Sequence, residues 1–270
     1  MLSSATLFHF TRNLETLKMI LASGFKPSYS SEDLMMFGVS ECPGIPMVSF
    51  CDIPLSQARR QVADYGRYAI GLDKKWGMAK NVSPVHYIYE ASICARVIRN
   101  VYDSLPKEAF YADCTCMKFD TRTAIFFYGK PYRGHLRKKD SFTGEIIDKG
   151  EVTFYDEREW RYVPFADQTI KGMDKIPPGV RTMLSEKEYA SADALSHAIN
   201  SLQTHYKLTF GAEDARYLIV DTEQDIPELV DFIDGVRGDW ENTELGSCTE
   251  SEKKRLTTRL ISMAQIERDF

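Results

Sequence analysis

Four groups of residues in this 270-residue sequence have types and spacings that chemistry uses. The first is Glu157-Arg158-Glu159. Residues two apart on a strand share a face, so both carboxylates would point one way and Arg158 the other. Paired carboxylates can act on a developing cation, and their repulsion can raise the pKa of one of them. Arg161 would share that face and could pair with Glu159 or with a phosphate. The bland alternative is a solvated edge strand. The second group is His9-Phe10-Thr11. There an imidazole and a hydroxyl on one strand face can hold a ribose hydroxyl or an amide, or the histidine can simply be satisfied within a core. The third is Tyr29-Ser30-Ser31-Glu32, where a loop-borne ring could stack on a flat heterocycle. The fourth is Tyr132-Arg133-x-His135-x-Arg137-Lys138-Lys139. Rings interleaved with cations suit single-stranded nucleic acid, and they also suit a solvated basic turn.

Composition narrows the classes. Hydrophobic residues are 43% and charged residues 27%, values of an ordinary folded protein with a sizeable core. The net charge of −5 opposes a general electrostatic grip on nucleic acid and leaves room for a local basic patch. No G-x-G-x-x-G, Walker A or H-E-x-x-H sequence occurs. Cys42, Cys51, Cys94, Cys114, Cys116 and Cys248 are irregularly spaced, which predicts reduced thiols and no zinc site. Met1 to Thr6 lacks a basic leader segment, and Arg12, Glu15 and Lys18 interrupt the apolar residues that follow. With no apolar run of spanning length, the expectation is a cytoplasmic protein that does not engage a membrane.

The elements that must position these groups follow from pattern. Leu7 to Phe10 reads as a strand, and Asn13 as the cap of a helix through Leu14, Leu17, Ile20 and Leu21 that Gly24 stops. Residues 26–46 read as a long loop with a helical turn near Met35. Met47 to Cys51 and Tyr68 to Leu72 read as strands. A helix from Ser56 to Tyr65 separates them, and a helical turn follows at Asp73 to Trp76. Val85 to Tyr89 is strand-like, 90–127 mostly helical, 144–148 a turn or hairpin, and Val152 to Phe165 one strand. The last third predicts helices at 192–206, 226–233 and 254–268, a strand at Tyr217 to Val220 and a loop at 239–252. This irregular order predicts an α+β fold with a bent or split mixed sheet. It also predicts a single domain over 1–270, with its motifs at about 5–165 and a supporting part at 166–270.

Taken in order, these motifs resemble the ADP-ribosyltransferase superfamily in its histidine–tyrosine–glutamate arrangement. More narrowly they resemble the AbiGi family of bacterial abortive-infection proteins. The narrower resemblance rests on Leu7-Phe8-His9-Phe10-Thr11, Asn13-Leu14 with Ile20-Leu21 and Gly24, and Val48 to Pro54. Tyr65-Gly66-x-Tyr68-x-Ile70-Gly71-Leu72 with Trp76, and Glu157-x-Glu159-Trp160-Arg161, complete it.

The resemblance implies an ADP-ribosyltransferase-like split mixed sheet with surrounding helices, and NAD as co-substrate. His9, Phe10 and Thr11 would form one wall of the NAD site, His9 bonding the adenosine-side ribose. Tyr29, or failing that Tyr65, would stack on nicotinamide. Ser49 would support the ribose or the glutamate. Glu159 would be the catalytic glutamate and Glu157 would orient or deprotonate the acceptor. The function implied is an anti-phage toxin that ADP-ribosylates nucleic acid, RNA before DNA, with Tyr132, Arg133, Arg137 and Lys138 on the polymer. The nearest known type is a messenger-RNA-modifying toxin of a toxin–antitoxin–chaperone system, with a cognate antitoxin and a chaperone as partners. Two other readings stand beside it: a non-enzymatic antitoxin or binding module, and a protein-directed transferase.

Overall fold

Asn13 and Gly24 bound the first helix as the sequence predicts. The computed structural model describes residues 4–106, 123–139, 146–165, 176–235 and 248–269. Strand β1 (Thr6–Thr11) turns into helix α1 (Leu14–Ser23), where the Asn13 side chain accepts a bond from Thr16 N at 2.8 Å. Gly24 ends the helix at φ 73°, a conformation that costs glycine little. The stretch predicted as a loop holds β2 (Ser28–Ser31) paired antiparallel with β3 (Gly44–Cys51), with a 3₁₀ turn at Met35–Phe37 between them. Ladder bonds and burial of Tyr29 outweigh the loop-like Ser and Pro content there.

A 3₁₀ turn at Leu55–Arg60 and a single α turn, α2 (Val62–Tyr65), replace the one helix expected from Ser56. β4 (Tyr68–Asp73) and α3 (Lys74–Ala79) follow, the Asp73 side chain capping α3 through Lys75 N. Next come β5 (Ser83–Pro84), β6 (His86–Ile88) and α4 (Ile93–Ser104). α5 (Ala124–Tyr128) closes the span expected to be helical, whose residues 107–122, Cys114 and Cys116 among them, lie outside the described residues. β7 (Gly129–Pro131) leads to the paired strands β8 (Gly134–Lys139) and β9 (Ile146–Val152). The long strand expected at 152–165 is a 3₁₀ turn, Phe154–Glu157, followed by the short β10 (Glu159–Tyr162).

The last third contains α6 (Glu186–Ala190), α7 (Ala192–His205), β11 (Ala215–Val220) and α8 (Ile226–Gly235). The helix expected at 254–268 is divided into α9 (Glu250–Thr257), β12 (Leu260–Ser262) and α10 (Met263–Asp269). The division arises because Leu260 and Ile261 ladder beside Leu218 and Ile219. No helix among the described residues is long and apolar enough to cross a membrane.

The chain forms two compact units, each assembled from separated segments, and this grouping does not follow the 5–165 and 166–270 division. The first comprises Met1–Lys26, Ser49–Val82 and Lys207–Phe270. Its sheet is mixed. β1 runs antiparallel to β4 from Thr6↔Asp73 to Thr11↔Tyr68, β4 is antiparallel to β11, and β11 is parallel to β12. Phe8 also pairs with Cys51 at the end of β3. One face of the sheet packs Phe8 and Ala69 against Ile53, Ala58, Met263 and Ile266. Elsewhere Phe25, Phe50, Trp76 and Phe210 stack edge-on or tilted on one another around His9.

The second unit comprises Pro27–Val48 and Ser83–Tyr206. Its strands pair locally, β2 with β3, β5 with β10, β6 with β7 in parallel and β8 with β9. Its core gathers Tyr29, Phe37, Ile45, Ile98, Phe126, Phe127, Phe165, Leu184 and Leu202. The mixed α+β class is therefore as expected.

Candidate functional site

Glu157 and Glu159 converge as the sequence predicts, by a different backbone. Glu157 ends the 3₁₀ turn and Arg158 takes the left-handed conformation at φ 47°, so Glu159 begins β10. A non-glycine residue in that region stores strain, commonly at functional sites. Strand alternation does not bring the two carboxylates together; a shared cation does. Lys130, buried in β7, donates from Nζ to Glu157 Oε2 at 2.6 Å and to Glu159 Oε2 at 2.9 Å. It also lies over the Phe154 ring, 4.6 Å from the centroid.

Arg161, wholly buried, follows on the same strand. Its Nε donates to Glu159 Oε1 at 2.8 Å and its Nη2 to Glu159 Oε2 at 3.0 Å. Nη2 also reaches Glu32 Oε2 at 2.8 Å, and Nη1 donates to the Phe127 carbonyl at 2.9 Å. Tyr87 of β6 accepts the Glu159 main-chain N–H on its hydroxyl at 2.7 Å. Three carboxylates and two cations thus share one interior. Taking such groups out of water costs several kcal/mol per ion, which only good geometry and further hydrogen bonds offset.

The titration of the cluster follows from that balance. Burial pushes the Glu32 carboxyl up, and the positive charge of Arg161 opposes this. Burial works to lower Lys130, but the charges of Glu159, Glu32 and Glu157 outweigh it and hold the ammonium well above its ordinary value. Arg161 is likewise raised by Glu159 and Glu32 against its burial. Burial, aided by the Glu159 charge, raises the Tyr87 phenol. The arrangement can hold a carboxylate in one orientation for an incoming hydroxyl, next to an ammonium that stays charged.

His9 belongs to the first unit. Its Nδ1–H donates to the Ser49 carbonyl at 2.8 Å, and Phe25 and Phe50 pack edge-on at 5.1 and 5.7 Å. Burial lowers its pKa, with the Ser49 bond opposing, so the ring is neutral at pH 7 and Nε2 is the acceptor. Thr11 does not share in this: its buried hydroxyl donates to Asn13 O at 3.0 Å and serves the turn into α1. Phe10 lies on the opposite face of β1 from His9 and packs at the Phe8 core. Ser49 meets His9 through its main-chain carbonyl. Tyr65 ends α2 and is partly exposed.

Tyr29 departs from expectation. It is buried on β2, not carried on a loop, and its hydroxyl donates to Arg181 O at 2.7 Å. The ring is part of the second unit's core, so it is not placed to stack on a ligand.

Tyr132 and Arg133 are exposed beside a groove of about 410 Å³ lined also by Met35, Tyr89, Arg99 and His135. The tilted ring contact of Tyr132 with Tyr155, and the edge contact of Tyr155 with Tyr87, run from this surface to the carboxylate cluster. The patch is less basic than its sequence suggests. β9 sets Glu151 3.6 Å from Arg133 and Asp148 2.9 Å from His135. Arg137 and Lys138 occupy β8 opposite Asp148 and Ile147, and their side chains lie outside the described residues.

The groups that sequence reasoning missed are Lys130, Glu32 and Tyr87. Glu32 stood at the end of the Tyr29 motif, and Lys130 just ahead of the aromatic and basic stretch. Nothing in their spacing tied either to Glu159. Cys42, Cys51, Cys94 and Cys248 form no disulfide among the described residues.

A family model described as "Putative abortive phage resistance protein AbiGi, antitoxin" matches residues 24–221. The abortive phage resistance protein AbiGi of Lactococcus lactis subsp. cremoris is 30% identical over 202 residues, 70% of this chain and 76% of that protein. No solved structure matches.

Proposed function

The chain belongs to the AbiGi family, and from that premise we propose that it acts in abortive phage resistance as a cytoplasmic, NAD-dependent ADP-ribosyltransferase toxin. The observation that carries the reading is the convergence of Glu157 and Glu159 on Lys130, with Arg161 fixing Glu159. Charged groups with shifted titration that gather in one place are where catalysis is commonly found.

The donor set suits NAD. In the second unit, Glu159 offers carboxylate lone pairs to a ribose hydroxyl. NAD, when bound, supplies the ADP-ribose group and nicotinamide as the leaving group. Glu159 is then the fixed negative group, in a position where such a group is worth about 10²–10³ in rate. Glu157 takes a proton from the acceptor, and Lys130 holds the two carboxylates close. The acceptor in this reading is RNA, met by Tyr132, Arg133, Arg137 and Lys138.

A second reading has its own observation. The family description says antitoxin, and both carboxylate oxygens of Glu159 already accept from a cation, as in a purely structural network. In that case the chain is a binding module for a partner toxin.

Incubation of the purified chain with labelled NAD and with RNA, DNA and cell lysate separates these readings. Label on RNA supports the proposal. Label on protein alone changes the acceptor to protein. Absence of any label, together with capture of a toxin whose killing the chain suppresses, supports the antitoxin.

A further inference from the structure

The end of the first unit's sheet carries a second group of cations, far in sequence from the carboxylates. Parallel pairing brings the starts of β11 and β12 to one end, and the antiparallel register Thr6↔Asp73 brings the end of β4 and the start of β1 to the same place. There a cavity of about 620 Å³ opens, lined by Arg216, Arg259, Asp73, Tyr217 and Thr258 among others.

Two features of these arginines bear on a ligand; Arg158 and Arg181 also have an orphaned Nε, but Arg259 lines the cavity. Arg259, immediately before β12, has an Nε shielded from solvent with no hydrogen-bond partner. Its side chain makes no ion pair or hydrogen bond with any described residue. An orphaned buried donor costs about 1–3 kcal/mol, more when charged, and is expected where something else satisfies it. Arg216 stands at the irregularity in the β4–β11 register between Ala215 and Tyr217. Such bulges re-aim a side chain, often beside a site. Arg216 gives Nε and Nη2 to Asp73 Oδ2, which leaves Nη1 outside that pair. Asp73 is in turn held by Lys75 N, its carboxyl lowered chiefly by Arg216. The lining therefore carries one compensated arginine and one uncompensated one.

We propose that this cavity is an oxyanion-binding site, separate from the carboxylate cluster, that takes a phosphate monoester between Arg259 and Arg216. Guanidinium forks match phosphate oxygens two at a time. The phosphate would meet the Arg259 guanidinium, and Tyr217, Leu260 and Ile261 give the body of the ester an apolar wall. The site is independent of the transferase reading.

Isothermal titration of the full chain with inorganic phosphate, AMP, adenosine and acetate tests it, in wild type and in Arg259→Gln and Arg259→Glu. The Arg259 side chain bonds to no described residue, and its main-chain bonds to Leu218 and Leu256 survive substitution, so both variants should fold, and circular dichroism checks that they do. The expected result is binding of phosphate and AMP, weakened about tenfold or more by Arg259→Gln and abolished by Arg259→Glu. Adenosine and acetate should bind far more weakly. Should Arg259→Gln fail to fold, protection of Arg259 from a guanidinium-modifying reagent by phosphate in the wild type gives the same answer. Absence of phosphate binding, affinity unchanged in a folded Arg259 variant, or acetate binding as tightly as phosphate would each overturn the proposal.

Discussion

Arg161 grips both oxygens of Glu159, two residues away on the same four-residue strand, through Nε at 2.8 Å and Nη2 at 3.0 Å. The same Nη2 reaches Glu32. Removing Arg161 therefore strands two buried carboxylates at once. We expect Arg161→Met to cost about 3–5 kcal/mol in urea denaturation, the range for breaking a buried pair from one side. Glu159→Gln, which keeps the shape and leaves Arg161 with Glu32, should cost clearly less. Equal losses would show that the cluster is not held together by charge.

His9 sets a pH dependence in the first unit. Burial depresses its folded pKa below the ordinary 6.5, so between the folded pKa and 6.5 the unfolded chain binds more protons. Stability then rises with pH through that window and becomes flat with respect to His9 above 6.5. Denaturation midpoints measured across the acid side of neutrality should show this slope in wild type, and a reduced slope in His9→Gln. An unchanged slope would mean the imidazole is not the group responsible.

Gly66 sits at φ 108°, after α2 and close to the end of β1. A Cβ at Gly66 would run into the Thr11 carbonyl oxygen. Both the strained φ and the clash fall on the turn that carries Tyr65 and on the strand that carries His9. Gly66→Ala should lower stability by about 1–3 kcal/mol from backbone strain alone, and by more once the contact is counted. A thermal midpoint equal to wild type would contradict the placement of this turn.

Tyr29 is a core residue by its ring and by its hydroxyl. Tyr29→Phe removes the bond to Arg181 O and leaves a carbonyl without that donor, at a cost of about 1–3 kcal/mol. We expect that loss in denaturation, with any NAD-dependent activity of the folded fraction unchanged. A selective loss of activity at full stability would return Tyr29 to the ligand.

How much of this was legible in the sequence depended on how local the signal was. The Asn13 cap, the Gly24 stop and the strand at Leu7 to Phe10 are written in neighbouring residues and appear where expected. β2 was hidden because Ser28 to Ser31 has loop composition and gains its strand only by pairing with Ile45 and Met47. β12 was hidden inside a helical pattern for the same reason, its partner lying about 42 residues away. Glu157 and Glu159 were found, but for a reason that fails: Arg158 leaves the strand conformation, and Lys130 makes the convergence. That ammonium comes from a three-residue strand with nothing in its own sequence to announce it. Tyr29 was misplaced because an aromatic among serines looks like a loop ring until its core is seen.

The most direct test of the central claim is NAD turnover by the wild-type chain beside Glu159→Gln, with the folded fraction of each measured in parallel. The account predicts nicotinamide release by wild type and a fall of about 10²–10³ in the variant at comparable folded fraction. Turnover in the variant near that of wild type would contradict it.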